Sequence, residues 1–339
     1  MPDLSTTWLG LSLKSPFVVA ASPLSRDPEA IALAVDAGAG AVVMHSLFEE
    51  QLTNDQMAAH RFIDAAVDLD AETQGIRPGA RAFSVGIEPY LRELERIKHR
   101  VDAPVLASLN GTTPGGWTSY AKRLEEAGAD ALELNLYEVG GPEGESGAAV
   151  EARQLEVVRA VAQAVKLPVT VKLTPFYASL PAFVRSLEAA GARGVAVFNR
   201  FYQPDISLDS LDVDRRLSLS TPAELPLRLH ALARLSATTS LSLACTGGVH
   251  SGLDAAKAIL SGAHVVQLAS VLLEHGPQQL AVLHDELAGF LDGKDYRSSA
   301  EARGVLDVRS APDPHAWARL NYTRMLDGWR PREGFRTKS

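Results

Sequence analysis

One hydropathy pattern recurs along the chain. An amphipathic stretch ends at a glycine, and a short apolar run follows. Asp36-Ala-Gly-Ala-Gly-Ala-Val-Val43 returns as Glu126-Ala-Gly-Ala-Asp-Ala-Leu-Glu-Leu134, as Ala190-Gly-Ala-Arg-Gly-Val-Ala-Val197 and as Ser261-Gly-Ala-His-Val-Val-Gln267. Helical periodicity that stops at a C′ glycine and resumes as a short, mostly apolar run predicts helix, turn, strand. Runs of a second kind alternate with these: Phe17–Ala21, Pro104–Ser108, Pro168–Leu173 and Leu241–Cys245. Together they make eight strands, with helical patterns over 89–99, 116–127, 154–165, 180–190, 225–235 and 253–260. Eight strand–helix units predict an α/β protein of the (β/α)8 TIM barrel class. An open, doubly wound sheet is the weaker alternative, because its phosphate turn would follow the first strand and not a late one.

Three connections exceed what a barrel needs: Leu47 to Pro89, Tyr137 to Val150 and Arg200 to Leu225. They follow the second, fourth and sixth strands, at the C-terminal face where barrel enzymes build their active sites. The second and third are candidate lids. Residues 1–293 read as the barrel. Residues 294–339 read as an extension that packs on the barrel or on a partner subunit through Trp317, Leu320, Met325 and Trp329.

Strand alternation sorts the side chains. In Leu132-Glu-Leu-Asn-Leu136 the leucines face the helices, so Glu133 and Asn135 face the barrel axis. Thr170 and Lys172 do the same in Val169–Leu173. A lysine inside a barrel is costly without an anion or a partner, and an ion pair with Glu133 would supply one. Other strands end in hydrogen-bonding residues: Ser22 after the first, His45 and Ser46 on the second, Asn110 after the third, Asn199 after the sixth.

The seventh strand runs into Thr246-Gly-Gly-Val-His-Ser251. Gly247 and Gly248 let backbone N–H groups approach an anion, and Ser251, with Asp254 three residues on, predicts a helix N-cap beside them. Ala269 and Ser270 end the neighbouring strand. This is the pattern of a phosphate cup after strands seven and eight. A flat heteroaromatic ligand with a phosphate tail would engage both the cup and the polar strand ends, and flavin mononucleotide (FMN) fits that description.

Composition narrows the partners. A net charge of −8 argues against general binding to nucleic acid. The one cysteine, Cys245, allows no internal disulfide and no cysteine metal cluster, and no metal site is expected. No stretch has the length and apolarity of a membrane span, and no signal pattern opens the chain, so a cytoplasmic protein is expected.

Asn135-Leu, Val171-Lys-Leu173, Thr246-Gly-Gly-Val249 and Ala21-Ser22 together resemble the dihydroorotate dehydrogenase family, particularly its class 1 branch. The likeness runs from Leu9 to Arg303 and includes the ending Lys294-Asp-Tyr-Arg-Ser-Ser-Ala-Glu-Ala-Arg-Gly304. It implies an FMN-binding barrel, often a homodimer, that oxidises or reduces a C–C bond next to a carbonyl. By the same resemblance Ala21, Ser22 and Ser46 would contact the flavin ring, with His45 and Asn110 in the same pocket. Asn135 and Lys172 would bind the ring's polar edge. Gly247, Gly248, Ala269 and Ser270 would hold the phosphate. Asn199 would lie near the substrate. Apart from the resemblance, Arg200, or Arg216 in the loop after the sixth strand, could bind a substrate carboxylate.

The departures from the family pattern are specific. His45 stands where the family usually has a lysine. After Asn135-Leu the family carries a cysteine or serine base, whereas this chain reads Tyr-Glu-Val-Gly-Gly-Pro, with neither residue before Ser146. Glu138, or Tyr137, would then take the proton. The family's substrate segment after the second strand is not recognisable between Leu47 and Phe83. Two further readings stay open: a flavin-free lyase or isomerase using Lys172 and Glu133 as acid and base, and a non-catalytic member accessory to a redox complex. Any long-range electron transfer would need another subunit, because the chain offers no iron–sulfur ligands.

Overall fold

The computed structural model describes residues 1–48, 86–110, 114–136, 144–200, 205–214, 218–314, 316–328 and 330. Eight strands close into a parallel barrel: β1 (Phe17–Val19), β2 (Ala41–Phe48), β3 (Val105–Asn110), β4 (Ala131–Asn135), β5 (Val169–Leu173), β6 (Gly194–Val197), β7 (Ser242–Thr246) and β8 (Val265–Leu268). They pair in chain order, and β8 returns to β1. The expected (β/α)8 architecture is therefore the observed one. Helices α1 (Pro28–Asp36), α2 (Glu88–Arg100), α3 (Pro114–Glu126), α4 (Gly147–Ala164), α5 (Leu180–Ala189), α6 (Leu225–Ser236) and α7 (Gly252–Leu260) cross between successive strands. A short helix α8 (Ser270–His275) leads from β8 into α9 (Gln279–Asp292).

Two apolar cores divide along strand alternation. Outward residues such as Phe17, Val19, Val42, Val171 and Leu173 pack under the helices. Inward residues Val18, Ala41, Val43, Leu106, Ala131, Ala196, Ala244 and Val265 form a separate cluster at the N-terminal end of the barrel. Small residues there leave room for a plug. A hairpin of strands Thr6–Trp8 and Leu11–Leu13 supplies it, with Trp8 fully buried. Gly194 gives both the hairpin and the neighbouring strand room: a Cβ there would lie 2.5 Å from Leu9 Cδ2 and 2.9 Å from the Ser242 carbonyl oxygen. Further along the axis the inward residues become polar: Ser108, Glu133, Thr170, Lys172 and Gln267 are all buried.

The floor is stitched to distant parts of the chain. Leu9 N–H donates to Ser242 Oγ (3.1 Å), Thr6 Oγ1 to the His264 carbonyl (3.2 Å), and Ser299 Oγ to the Ser5 carbonyl (3.1 Å). Beyond α9 the chain forms α10 (Ser299–Ala302) and α11 (Trp317–Asp327). Among the described residues no helix is long and apolar enough to cross a membrane.

Several local expectations shift. Helix α4 begins at Gly147, seven residues before the expected start at Gln154, because Ser146 caps it by accepting from Ala149 N–H. The connection after β4 therefore ends at Ser146, four residues before the expected Val150. Strand β2 continues past His45 and Ser46 to Phe48, through a register irregularity between Val43 and Ser46. Strand β1 ends at Val19, so Ser22 precedes a 3₁₀ turn over Pro23–Arg26 and does not terminate the strand itself. The connection after β6 contains an exposed hairpin, Asp205–Ser207 with Asp212–Asp214. Cys245 lies inside β7 as expected, and burial pushes its thiol up to about 12.

Two predictions follow from the floor. Replacing Trp8 by Ala empties the plug and should cost about 3–5 kcal/mol, read by denaturant unfolding. His264 Nδ1 accepts the Leu243 N–H at 3.0 Å, and burial, then the charge of Arg303, push its pKa down from 6.5 to about 4. An unfolded chain binds that proton first as pH falls. The stabilisation is therefore complete above pH 6.5 and is lost on going down to about 4, on the order of 3 kcal/mol. His264→Asn, which keeps an acceptor without a titrating ring, should flatten the slope of unfolding free energy against pH over that interval. An unchanged slope would assign the pH dependence elsewhere.

Candidate active site

The C-terminal ends of the strands surround a cleft with two adjoining lobes. The outer lobe, about 490 Å³, is walled by His45, Ser46, Asn110, Asn135, Lys172 and Asn199, with Ala21, Ser22, Arg26 and Arg200 completing its rim. The inner lobe, about 90 Å³, lies against Gly247, Gln267, Ala269 and Ser270. Ala21, Lys172, Asn199 and Arg200 border both. Of the residues expected to hold flavin or substrate, all those described except Gly248 therefore line one lobe or the other. Gly248 borders the inner lobe from behind: a Cβ there would lie 2.6 Å from the backbone nitrogen of Leu225, and its N–H donates to Ser220 Oγ at 3.2 Å. Glu138, together with Tyr137 and Arg216, lies outside the described residues.

Lys172 stands where the lobes meet and is only 5% exposed. Alternation turns it inward from β5, and Nζ donates to Glu133 Oε1 at 2.6 Å. Glu133 Oε2 accepts from Gln267 Nε2 at 2.7 Å. Strand pairing explains the geometry: Lys172 is level with Asn135, and Glu133 sits one inward position lower. Asn135 Oδ1 in turn accepts from Asn199 Nδ2 at 3.0 Å. Two amides and one ammonium thus point at the same junction from β4, β5 and the end of β6.

His45 occupies the outer lobe as a neutral ring. Burial, and secondarily the charge of Arg26, push its pKa from 6.5 down to about 4. Its ring meets Tyr90 edge-on, with centroids 4.9 Å apart, and Tyr90 Oη donates to the His45 carbonyl at 3.0 Å. Tyr90 Oη also accepts the Ser108 N–H at 3.1 Å, while Ser46 and Ser108 hydroxyls bond at 2.9 Å. These contacts fasten the irregular part of β2 to its neighbour.

The inner lobe is bounded by the glycine turn that follows β7. Gly247 and Gly248 have φ of 85° and 81°, a region that favours glycine. A Cβ at Gly247 would lie 3.0 Å from Arg228 Nη2, so a side chain there would press on the guanidinium. Arg228 is held by the Thr246 and Glu224 carbonyls, at 3.1 and 2.9 Å. Arg200 Nη1 donates to Glu224 Oε1 at 2.8 Å, which fixes that arginine at the rim. Ser251 accepts from Asp254 N–H at 3.1 Å, the expected cap of α7. Ser270 Oγ accepts from both the N–H and the hydroxyl of Ser220, at 2.9 and 2.8 Å.

Four contributors escaped the sequence reading. Gln267 had a signal, since alternation places it inward with Val265. Arg26, Ser220 and Arg228 had none: each lies on a turn, a loop or a helix whose position over the cleft depends on the closed barrel. Among the described residues no group of three His, Cys, Asp or Glu side chains is arranged to hold a metal ion.

The chain was compared with known proteins. Residues 3–291 match the family model described as dihydroorotate dehydrogenase. The catalytic subunit of dihydroorotate dehydrogenase B (NAD(+)) of Methanosarcina mazei is 31% identical over 90% of this chain and 93% of that protein. The NAD-dependent dihydropyrimidine dehydrogenase subunit PreA of Escherichia coli K12 is 25% identical over 91% of this chain and 78% of its own length. The chloroplastic dihydropyrimidine dehydrogenase (NADP(+)) of Arabidopsis thaliana is 28% identical over 89% and 76% respectively. With a family match running from the floor hairpin into α9, on a barrel whose cleft follows from the same strands, the chain belongs to the dihydroorotate dehydrogenase family.

Proposed function

We propose that the protein is an FMN-dependent oxidoreductase acting on a C–C bond next to a carbonyl. The observation that carries this reading is the buried Lys172 at the junction of the two lobes, with the amides of Asn135 and Asn199 on one side and the glycine turn after β7 on the other. Family membership supports an oxidoreductase of the CH–CH class. The cleft also passes a test of fit. Ser22 Oγ and Gln267 Oε1 are buried without a hydrogen-bond partner among the described residues, and both belong to lining residues. Unpartnered buried polar atoms are costly, and a ligand rich in hydroxyl, imide and phosphate groups would satisfy them. Gly247, at a φ of 85°, leaves the turn without a side chain that would press on Arg228 at the wall of the inner lobe.

Gly247, Ala269 and Ser270 would hold the phosphate, with Gly248 fixing the turn through Ser220. Ala21, Ser22, Ser46 and Asn110 would line the ring, and Asn135 and Lys172 its polar edge. When bound, FMN supplies two-electron hydride chemistry. Lys172 offers its charge where negative charge gathers on reduction. Asn199 and Arg200 would orient a substrate in the outer lobe, a carboxylate being the natural partner of the arginine. Glu138 is the proposed proton acceptor. His45, being neutral, contributes hydrogen bonding where the family usually has a cation. Two of the relatives named above are subunits, which supports a reading with an electron-accepting partner subunit; a homodimer belongs to the same reading.

The purified protein should be yellow, or should become so on titration with FMN. A colourless protein that takes up no FMN overturns the reading. Anaerobic addition of dihydroorotate distinguishes substrates: bleaching identifies it, and a yellow protein that stays oxidised keeps the flavin and rejects that substrate. Gly247→Val should weaken FMN binding more than tenfold while leaving the fold intact by circular dichroism. Undiminished affinity would remove the turn from the site.

A further inference from the structure

The ion pair at the lobe junction has a second member with no role so far. Glu133 is wholly buried, 0% exposed, on the inward face of β4. Both of its oxygens are committed, Oε1 to Lys172 at 2.6 Å and Oε2 to Gln267 at 2.7 Å. It does not line either lobe, so it cannot touch a ligand there. Lys172 lines both. An ammonium has three N–H donors, and Glu133 takes one.

We propose that Glu133 is a positioning residue that sets, through Lys172, how strongly the site favours reduced over oxidised flavin. This rests on the FMN reading above. In a buried site a carboxylate 2.6 Å from the ammonium offsets much of that cation's field. Its position one inward step below Lys172 holds Nζ down and limits the charge felt at the ring edge. Gln267 keeps the carboxylate in place from β8. In donating to Glu133, its amide leaves Oε1 unpartnered on the wall of the inner lobe. Glu133 therefore acts as a counterweight: the reduced ring, which carries more negative charge at that edge, is stabilised by Lys172 only to the extent that Glu133 leaves the charge uncompensated.

Removing the charge but keeping the shape tests this. Glu133→Gln should raise the ratio of the dissociation constants for oxidised and reduced FMN at least tenfold, measured by reductive titration of the FMN-loaded protein against an indicator dye. Lys172→Met should lower the same ratio. In the Lys172→Met background, Glu133→Gln should no longer change it, because the effect runs through the lysine. Glu133→Asp, which draws the carboxylate back by one methylene, should give an intermediate ratio and serves where the glutamine variant does not fold. A merely structural Glu133 would weaken both forms of FMN alike. A ratio unchanged within twofold, a shift toward oxidised FMN, or an equal effect of Glu133→Gln with and without Lys172 overturns the inference while leaving the flavin reading intact. Wild-type protein that takes up no FMN overturns the parent reading and this one together.

Discussion

A closed parallel barrel gives every strand an inside and no edge, so whatever alternation turns inward must find its partner across the axis. That constraint organises this protein. At one end the inward residues are alanine and valine, and they accept a tryptophan plug. At the other end they are glutamate, lysine, threonine and glutamine, whose polar groups are costly to leave unpaired away from water. Glu133, Lys172 and Gln267 answer that requirement with charge and hydrogen bonds drawn from three strands. The outer layers inherit their positions from this arrangement. Asn135 lies level with Lys172 on the adjacent strand, Asn199 bonds to Asn135, and the glycine turn follows β7 on the far wall.

Much of this was legible in the chain. The repeated glycine-terminated helix ends marked the strands, and period-two alternation separated Glu133, Asn135, Thr170 and Lys172 from the leucines and valines beside them. Those signals are local: a glycine's φ or a strand's two faces need no knowledge of the rest. What escaped depends on closure. Arg228 is one residue of an ordinary helix until α6 is laid beside the β7 turn. Ser220 has no periodic neighbourhood at all, yet it bridges Gly248 and Ser270. The register irregularity in β2 is likewise invisible to simple alternation, because it consists in departing from it. Ser146 could have placed the start of α4 correctly, as a serine before a run of good helix formers, but the surrounding glycines masked it.

The departures from the family pattern acquire a physical character in the structure. A lysine at position 45 would stand beside Glu93, whose Oε1 lies 3.6 Å from His45 Nδ1, and would add a further cation to the outer lobe. The histidine is neutral instead, and burial also raises the pKa of Glu93. The wall on that side of the cleft is thus poorer in charge than the family pattern implies. Positive charge at the rim comes from Arg26 and Arg200, on connections after β1 and β6. The charge at this rim therefore sits on connecting segments, which can change without disturbing the barrel, and not on the strand termini that the barrel fixes.

The floor hairpin carries a consequence of a different kind. Its hydrogen bonds join residues 5, 6 and 9 to residues 299, 264 and 242, separations of 294, 258 and 233 positions. On a ribosome the hairpin would emerge early and wait for nearly the whole remaining chain before meeting its partners. The inward alanines would have no lid during that interval, and the polar layer above them no dry base. Closing the floor is then a late event in the birth of the molecule, and the environment of Lys172 comes into being only once the two ends of the barrel have met.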